Sequence, residues 1–417
     1  MRLSAQLPRV RRLASAVGWT TFDQGLFTLS NLVVTLAVGR SGGAEALGVF
    51  AVAFAVYLLV LGCTRSLVSE PLLTTAEAGR AAEPPSVTLV ALFSTACGLI
   101  VGVPAAMLDR TELVVVAAAL PLLTVQDLLR YQAFRRDQAW AAALLDGGWL
   151  AGAMLAWPVI TATGSPTVAV ACWAGGAAFG MAIGWPVARP RPGSAPAALR
   201  WWRAELRPVA GPLLLDSVIV GVSTQAVVFV LAWLASDADL GVLRAGQVYF
   251  GPVLLLLTAL GLPLVPRLAQ RPGAASARNA AWMATAMAAV TALCCTAIIL
   301  AAPMLHRLLF ADAIDVPRTL LVPLALQAVL AAGAGGLAVV AKARRRTVLI
   351  ARSRLTSSVG GVVLVVAGTA LYGLPGAVWA GAAQGGLYCA ELAVRILRDR
   401  YRPNHEAAFK AMGATHA

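Results

Sequence analysis

About twelve apolar stretches, each roughly twenty residues long or more, fill most of this sequence, and each is long enough to cross the ~30 Å hydrocarbon core of a bilayer as a helix. They run near 14–39, 46–70, 85–107, 112–134, 138–160 and 166–187, then 208–234, 240–265, 279–302, 319–341, 350–371 and 375–396. Only 12% of the 417 residues are charged, too few to cover a water-facing globule of this size. In lipid every backbone N–H and C=O needs an internal partner, so only helices or closed barrels are admissible. Barrel strands would alternate apolar and polar residues. These stretches are continuous and rich in Ala, Leu, Val and Gly, so the expected fold is an all-α membrane bundle.

Basic residues test the layout independently, because Lys and Arg collect in cytoplasmic loops. With the N-terminus inside, only Arg40, Arg110, Arg244, Arg307 and Arg318 fall on or near the outer side. The inner segments take the rest, including Arg9, Arg11 and Arg12, Arg135 and Arg136, Arg200, Arg203 and Arg207, and Lys342 to Arg346. One missed span would invert every later loop and erase that asymmetry. Both termini are therefore expected in the cytoplasm of a bacterial inner membrane. The first stretch carries Asp23 and Asn31 and is too long for a cleavable leader core, so it is expected to remain as a span. The net charge of +14 then serves anionic lipid headgroups rather than nucleic acid. Trp201 and Trp202, beside Arg200 and Arg203, read as an interfacial belt.

The two halves repeat at an offset of 193 residues: Gly18 and Asp23 match Gly211 and Asp216, and Leu47-Gly48-Val49 matches Leu240-Gly241-Val242. Six spans separate the copies, so both run the same way through the membrane. A repeat of that kind places a pathway between two bundles. The expected organisation is a six-helix bundle over 1–190, a basic linker over 191–207 that acts as a hinge, and a second six-helix bundle with a cytoplasmic tail over 208–417.

An ionisable side chain inside a span costs about 2.5–3.5 kcal/mol or more at the centre, so it faces protein or water. Asp23 lies roughly 16 Å beyond Arg12, Asp146 roughly 15 Å beyond Arg136, and Asp216 about 13 Å beyond Arg207 along a helix. Each is too short to reach the headgroups. They either line a central cavity or make a buried helix–helix bond. Arg65 and Arg130 sit toward cytoplasmic ends, where they can snorkel. Asp127 with Arg130 and Glu391 with Arg395 fit i,i+3 and i,i+4 pairs, and Glu70 is a further intramembrane acid. Arg244 opens a span from the outer side with Gln247 one turn later on the same face, so it is either an anchor at that interface or a contact for an anion.

There is no P-loop, HExxH, CxxC or Ser/His pairing, and His306, His405 and His416 all lie outside the spans. Cys63, Cys97, Cys172, Cys294, Cys295 and Cys389 sit in apolar stretches and read as small core residues. The longest outer segment, about 303–318, is a short amphipathic piece with no room for a sugar-transferring domain. A transporter without a cofactor is expected, driven by substrate flux or by a proton or sodium gradient.

Three stretches carry a family resemblance: Gly48 to Tyr57 running on to Arg65-Ser-Leu-Val-Ser-Glu-Pro71; Gln126-Asp-Leu-Leu-Arg-Tyr131 followed by Asp146 and Trp149; and Leu243-Arg-Ala-Gly-Gln247 with Gly251-Pro252. With the order of elements along the whole chain, they resemble the MOP superfamily of multidrug, oligosaccharidyl-lipid and polysaccharide transporters, and the Wzx-like flippases within it. The resemblance implies a V of two six-helix bundles around a cationic cavity, and alternating access that carries a prenyl-diphosphate-linked oligosaccharide from the inner to the outer leaflet. It makes Arg65, Arg130 and Arg244, with Gln247, the expected diphosphate contacts. Asp23, Asp146 and Asp216, with Asp127 and Glu70, become polar cavity residues or proton carriers. Expected partners are the lipid-linked oligosaccharide, anionic lipids and other polysaccharide-assembly membrane proteins. A cation- or proton-coupled multidrug exporter of the same fold is the alternative, and would want an acidic, aromatic cavity. A membrane glycosyltransferase or polymerase fits less well, given the short outer loops.

Overall fold

The computed structural model describes residues 7–74, 82–189, 191–269, 276–344 and 346–399; for 7–17, 20, 74, 212, 216, 254–269, 277, 343, 347 and 399 it describes the helix path alone. Among the described residues every regular element is a helix. In the first half, α1 (Leu7–Thr64) runs through a π-helical turn, Arg65–Ser69, into the short α2 (Glu70–Thr74), and is followed by α3 (Glu83–Met107), α4 (Thr111–Arg135), α5 (Ala139–Thr163) and α6 (Pro166–Ala188). The connection contains α7 (Ala195–Trp201) and a second π-helical turn, Trp202–Leu206. The second half holds α8 (Arg207–Leu234), α9 (Asp237–Ala269), α10 (Ala277–Phe310), α11 (Arg318–Ala343) and α12 (Thr347–Asp399).

Two of these helices are too long for one crossing, and each breaks at a single glycine. Gly43 has φ 67° and ψ −160°, and Gly373 has φ 61° and ψ −143°, backbone that a side chain disfavours. Around Gly373 the arms fold back on each other, so that Gly368 meets Gly376 and Gly361 meets Gln384. Around Gly43 the arms return likewise: Asp23 on one and Arg65 on the other reach the same α4 pair, Asp127 and Arg130. Nine described helices are long and apolar enough to cross a membrane, and two of them are these hairpins. With α9 they account for the expected spans, each within a few residues of its expected position apart from longer ends on α9 and α10. Leu99, Ile100, Leu155, Leu293, Leu300 and Leu371 point outward and are more than half exposed. An apolar exterior of that extent suits lipid and no other solvent. This is a multi-pass membrane protein.

Two expectations change. The connection between the halves packs against the first bundle, since Ala198 and Leu206 are fully buried and Trp202 donates from Nε1 to the Leu67 carbonyl at 3.2 Å. Trp202 is thus a packing residue rather than part of an interfacial belt, while Trp201 bonds Glu205 at 2.8 Å. Nor is 303–310 a loop piece, since α10 continues through it to Phe310 and tucks that ring under Gly39 of α1.

The halves meet at both ends of the molecule. At the Gly43 end, α1 and α9 approach so closely that a Cβ on Gly48 would collide with the Asp237 carbonyl, and one on Gly241 with the Ala44 carbonyl. Residues 44 and 48 correspond to 237 and 241 in the internal repeat, so the seam is reciprocal. Arg40 reinforces it by donating to the carbonyls of Leu308 and Leu309 at the end of α10, the latter at 2.7 Å. At the opposite end, near the connection, the hydroxyls of Ser66 and Ser217 are in contact.

Candidate functional site

Burying an ion is tolerable only if its charge and hydrogen bonds are met on the spot. The first bundle does this around Arg130 of α4, whose side chain is 1% exposed. Its Nη2 donates to Asp23 Oδ2 of α1 at 2.5 Å, and its Nη1 donates to Asp127 Oδ1 one turn earlier at 2.9 Å. Its Nε lies 3.0 Å from Asp146 Oδ2 of α5, in ion-pair contact without hydrogen-bond alignment. Gln126 Nε2 donates to the other Asp146 oxygen at 2.8 Å. Arg65, on the π-helical turn, clasps Asp127 with two bonds of 2.9 and 2.7 Å. Widening the helix there shifts the register of Arg65 at the point where it must reach α4. Aromatic faces cover both cations: Phe27 lies 5.2 Å from Arg130, and Tyr131 lies 5.7 Å from Arg65.

This arrangement corrects the expectation for three residues. Arg130 neither snorkels nor presents an open face, because three carboxylates occupy its guanidinium. Asp23 and Asp146 do not line the central cavity; each is fully buried as a partner of Arg130. The i,i+3 contact of Asp127 with Arg130 is present, but as one edge of a five-residue cluster from four segments. Arg65 is partly exposed, with 24% of its side chain accessible. Glu70 opens α2 on the exposed surface, and the Asp216 side chain lies outside the described residues. Glu391 pairs with Arg395 at 2.5 Å along α12, as its spacing implies.

Between the bundles lie two adjoining cavities of about 440 and 460 Å³. One reaches α8 and α11 through Gln225 and Gln327; the other reaches α1 through Thr28, Asn31 and Thr35. Phe54, Arg244, Gln247 and Gly251 border both. α9 begins at Asp237, so Arg244 lies two turns into the helix, about 10 Å along it, where it borders both cavities. Its guanidinium packs 4.7 Å from the Phe54 ring. It has no ion pair among the described residues, and its Nε is buried without a hydrogen-bond partner. Among the described residues no acidic side chain lines either cavity. Among the described residues the site is therefore a pair of apolar-walled chambers with amide and hydroxyl groups around one cation that has no ion-pair partner.

Phe27 connects the two features, because it lines the cavity and its ring also lies against the Arg130 guanidinium. Sequence reasoning misses Phe27, Phe54, Gln225 and Gln327, since aromatic and amide residues in an apolar stretch look like ordinary filling. Gln126 also escapes it, although its place beside Asp127 is a usable signal. Trp173, which donates to Asn31 Oδ1 at 2.8 Å and accepts at its carbonyl from Trp149 Nε1 at 3.0 Å, rigidifies the wall behind Asn31.

No family model and no curated protein matches the sequence. Solved structures do match the fold. The lipid II flippase MurJ in an inward closed conformation aligns with a TM-score of 0.67 at 12% identity, over 90% of this chain and 87% of that one. An inward-facing multidrug resistance MATE transporter of the MOP superfamily aligns at 0.66 and 15% identity, over 94% and 96%. A MOP superfamily transporter from Pyrococcus furiosus, described as having a binding pocket of reverse polarity, aligns at 0.57 and 14% identity, over 94% and 96%. The chain has the fold of MOP superfamily transporters.

Proposed function

We propose that this protein is a flippase, moving an oligosaccharide on a prenyl-diphosphate anchor from the inner to the outer leaflet by alternating access. The observation that carries the reading is Arg244: a lone guanidinium in the cavity between the bundles, with no described carboxylate in its walls. A half-buried cation with no described counter-charge is incompletely solvated, and a diphosphate entering the cavity would satisfy it through charge-assisted bonds. Gln225, Gln247, Gln327 and Thr224 offer neutral groups for sugar hydroxyls, which bind and release without a large desolvation penalty. Similarity to a lipid II flippase supports the same reading.

Arg65 is the second candidate cation, because its side chain is partly accessible while it holds Asp127. Arg130 is assigned a positioning role, as the centre that ties α1, α4 and α5 together. Three aspartates against two arginines leave the cluster one formal negative charge in excess, so it is also where a coupling proton or sodium ion would act.

The multidrug-exporter reading draws on the MATE likeness. It lacks what a cationic drug needs, a carboxylate in the described cavity walls. A strain with this gene deleted separates the two: the flippase reading expects lipid-linked glycan to accumulate in the inner leaflet, restored to normal by the wild-type gene. Drug hypersensitivity with normal lipid-linked glycan would overturn it.

A further inference from the structure

Away from the central cavity, at the end of the first bundle nearest the connection, another cavity of about 500 Å³ opens between the start of α3, the end of α4, the start of α5 and the end of α6. Three arginines, Arg136, Arg189 and Arg191, line it against one carboxylate, Glu83. Arg136 and Glu83 cancel each other through bonds of 2.8 and 2.5 Å. Arg189 uses only its Nε, donating to the Pro186 carbonyl at 2.9 Å, so its terminal N–H groups face the cavity region without a described partner. Arg191 has no described partner at all.

The backbone that carries these cations is constrained on either side. Arg189 ends α6 in left-handed backbone, φ 39° and ψ 59°, which a long side chain disfavours and which persists only where surrounding structure enforces it. Four residues later Gly193 is pinned to α3: its N–H contacts Pro84 O at 3.2 Å and Thr88 Oγ1 at 2.7 Å, and its carbonyl accepts from Thr88 Oγ1 at 3.0 Å. Arg189 at the end of α6 and Arg191 two residues before this contact both border the cavity. Opposite them, Gln138 precedes the 25-residue α5 without a side-chain cap, leaving the positive helix end open beside the arginines. Trp140, 47% exposed, stands at the rim, as an aromatic does at headgroup depth.

We infer that this cavity binds a phosphate group, gripped by Arg189 and Arg191 at the positive end of α5. Two guanidinium forks beside an uncapped helix start match phosphate oxygens in charge and geometry. A lipid headgroup and a free phosphate share that chemistry. The inference is independent of the central cavity, since neither arginine borders it.

The test uses the purified full-length protein, wild type, Arg189→Ala/Arg191→Ala and Arg189→Lys/Arg191→Lys. Each is titrated with phosphatidylglycerol, phosphatidylcholine and inorganic phosphate, and binding is read by native mass spectrometry. Both arginines lie on the surface, and an unchanged melting temperature without ligand verifies folding. We expect the wild type to prefer phosphatidylglycerol over phosphatidylcholine, the alanine variant to weaken that binding about tenfold or more, and the lysine variant to retain part of it. Binding of inorganic phosphate that depends on the same arginines, without lipid preference, would identify free phosphate as the ligand. Equal binding of every probe by wild type and alanine variant would overturn the site.

Discussion

At the residue scale, the membrane interior separates two kinds of arginine. Arg130 is neutralised on three sides, so deleting it strands Asp23, Asp127 and Asp146 in a low-dielectric core. Arg130→Ala should destabilise the protein by about 3–5 kcal/mol, seen as a lower melting temperature in detergent and a lower protein level. Asp146→Asn keeps the shape and the bond from Gln126 while removing the excess negative charge. It should leave folding intact and abolish any dependence of transport on a proton gradient, measured by reversing the pH step across proteoliposomes. Transport that follows the gradient unchanged in Asp146→Asn would exclude Asp146 as the coupling group. The depths of Asp23 and Asp146 were legible in the sequence, because helical rise converts residue count into distance, whereas Arg130 read as a snorkelling residue near a helix end. Their mutual pairing was not, because depth says nothing of which face each helix turns to its neighbours. Arg244 was legible from its place, opening a span from the outer side with Gln247 one turn later on the same face.

At the scale of elements, hydropathy located the spans because lipid selects on length and composition alone. It could not show that Gly43 and Gly373 each reverse a continuous helix within one residue, since a short polar gap looks the same in either case. The repeat motif Leu-Gly-Val, by contrast, was visible in sequence and acquires a physical reason in the fold. Gly48 and Gly241 are each other's equivalents, and each lies against the backbone of the opposite half. A methyl group there cannot be absorbed by a flexible side chain, because the obstacle is a carbonyl. Gly48→Ala or Gly241→Ala should weaken the α1–α9 seam by about 1–3 kcal/mol. In a background without the native cysteines, Ala46→Cys, 8% exposed in the sealed form, should react faster with a membrane-impermeant maleimide when either glycine is replaced. Unchanged labelling would show that the glycines are not the seal.

At the scale of the whole molecule, two parallel bundles closed together at the Gly43 end, with contact at the other end through Ser66 and Ser217, enclose chambers that belong to neither bundle alone. Reporter domains fused after Gly164 and after Asp237 should both report the outer side; a cytoplasmic signal from either would invert the proposed direction of transport. The account rests above all on an anion meeting Arg244 in those chambers, and purified protein can answer that directly. Affinity for a short prenyl diphosphate and for a cationic dye should be measured by microscale thermophoresis on wild type, Arg244→Lys and Arg244→Ala. The account predicts that the wild type binds the diphosphate and not the dye, that lysine retains part of the affinity, and that alanine loses about tenfold or more, the ~1.5–3 kcal/mol of a charge-assisted contact. Equal diphosphate affinity in wild type and Arg244→Ala, or tighter binding of the dye, would contradict it.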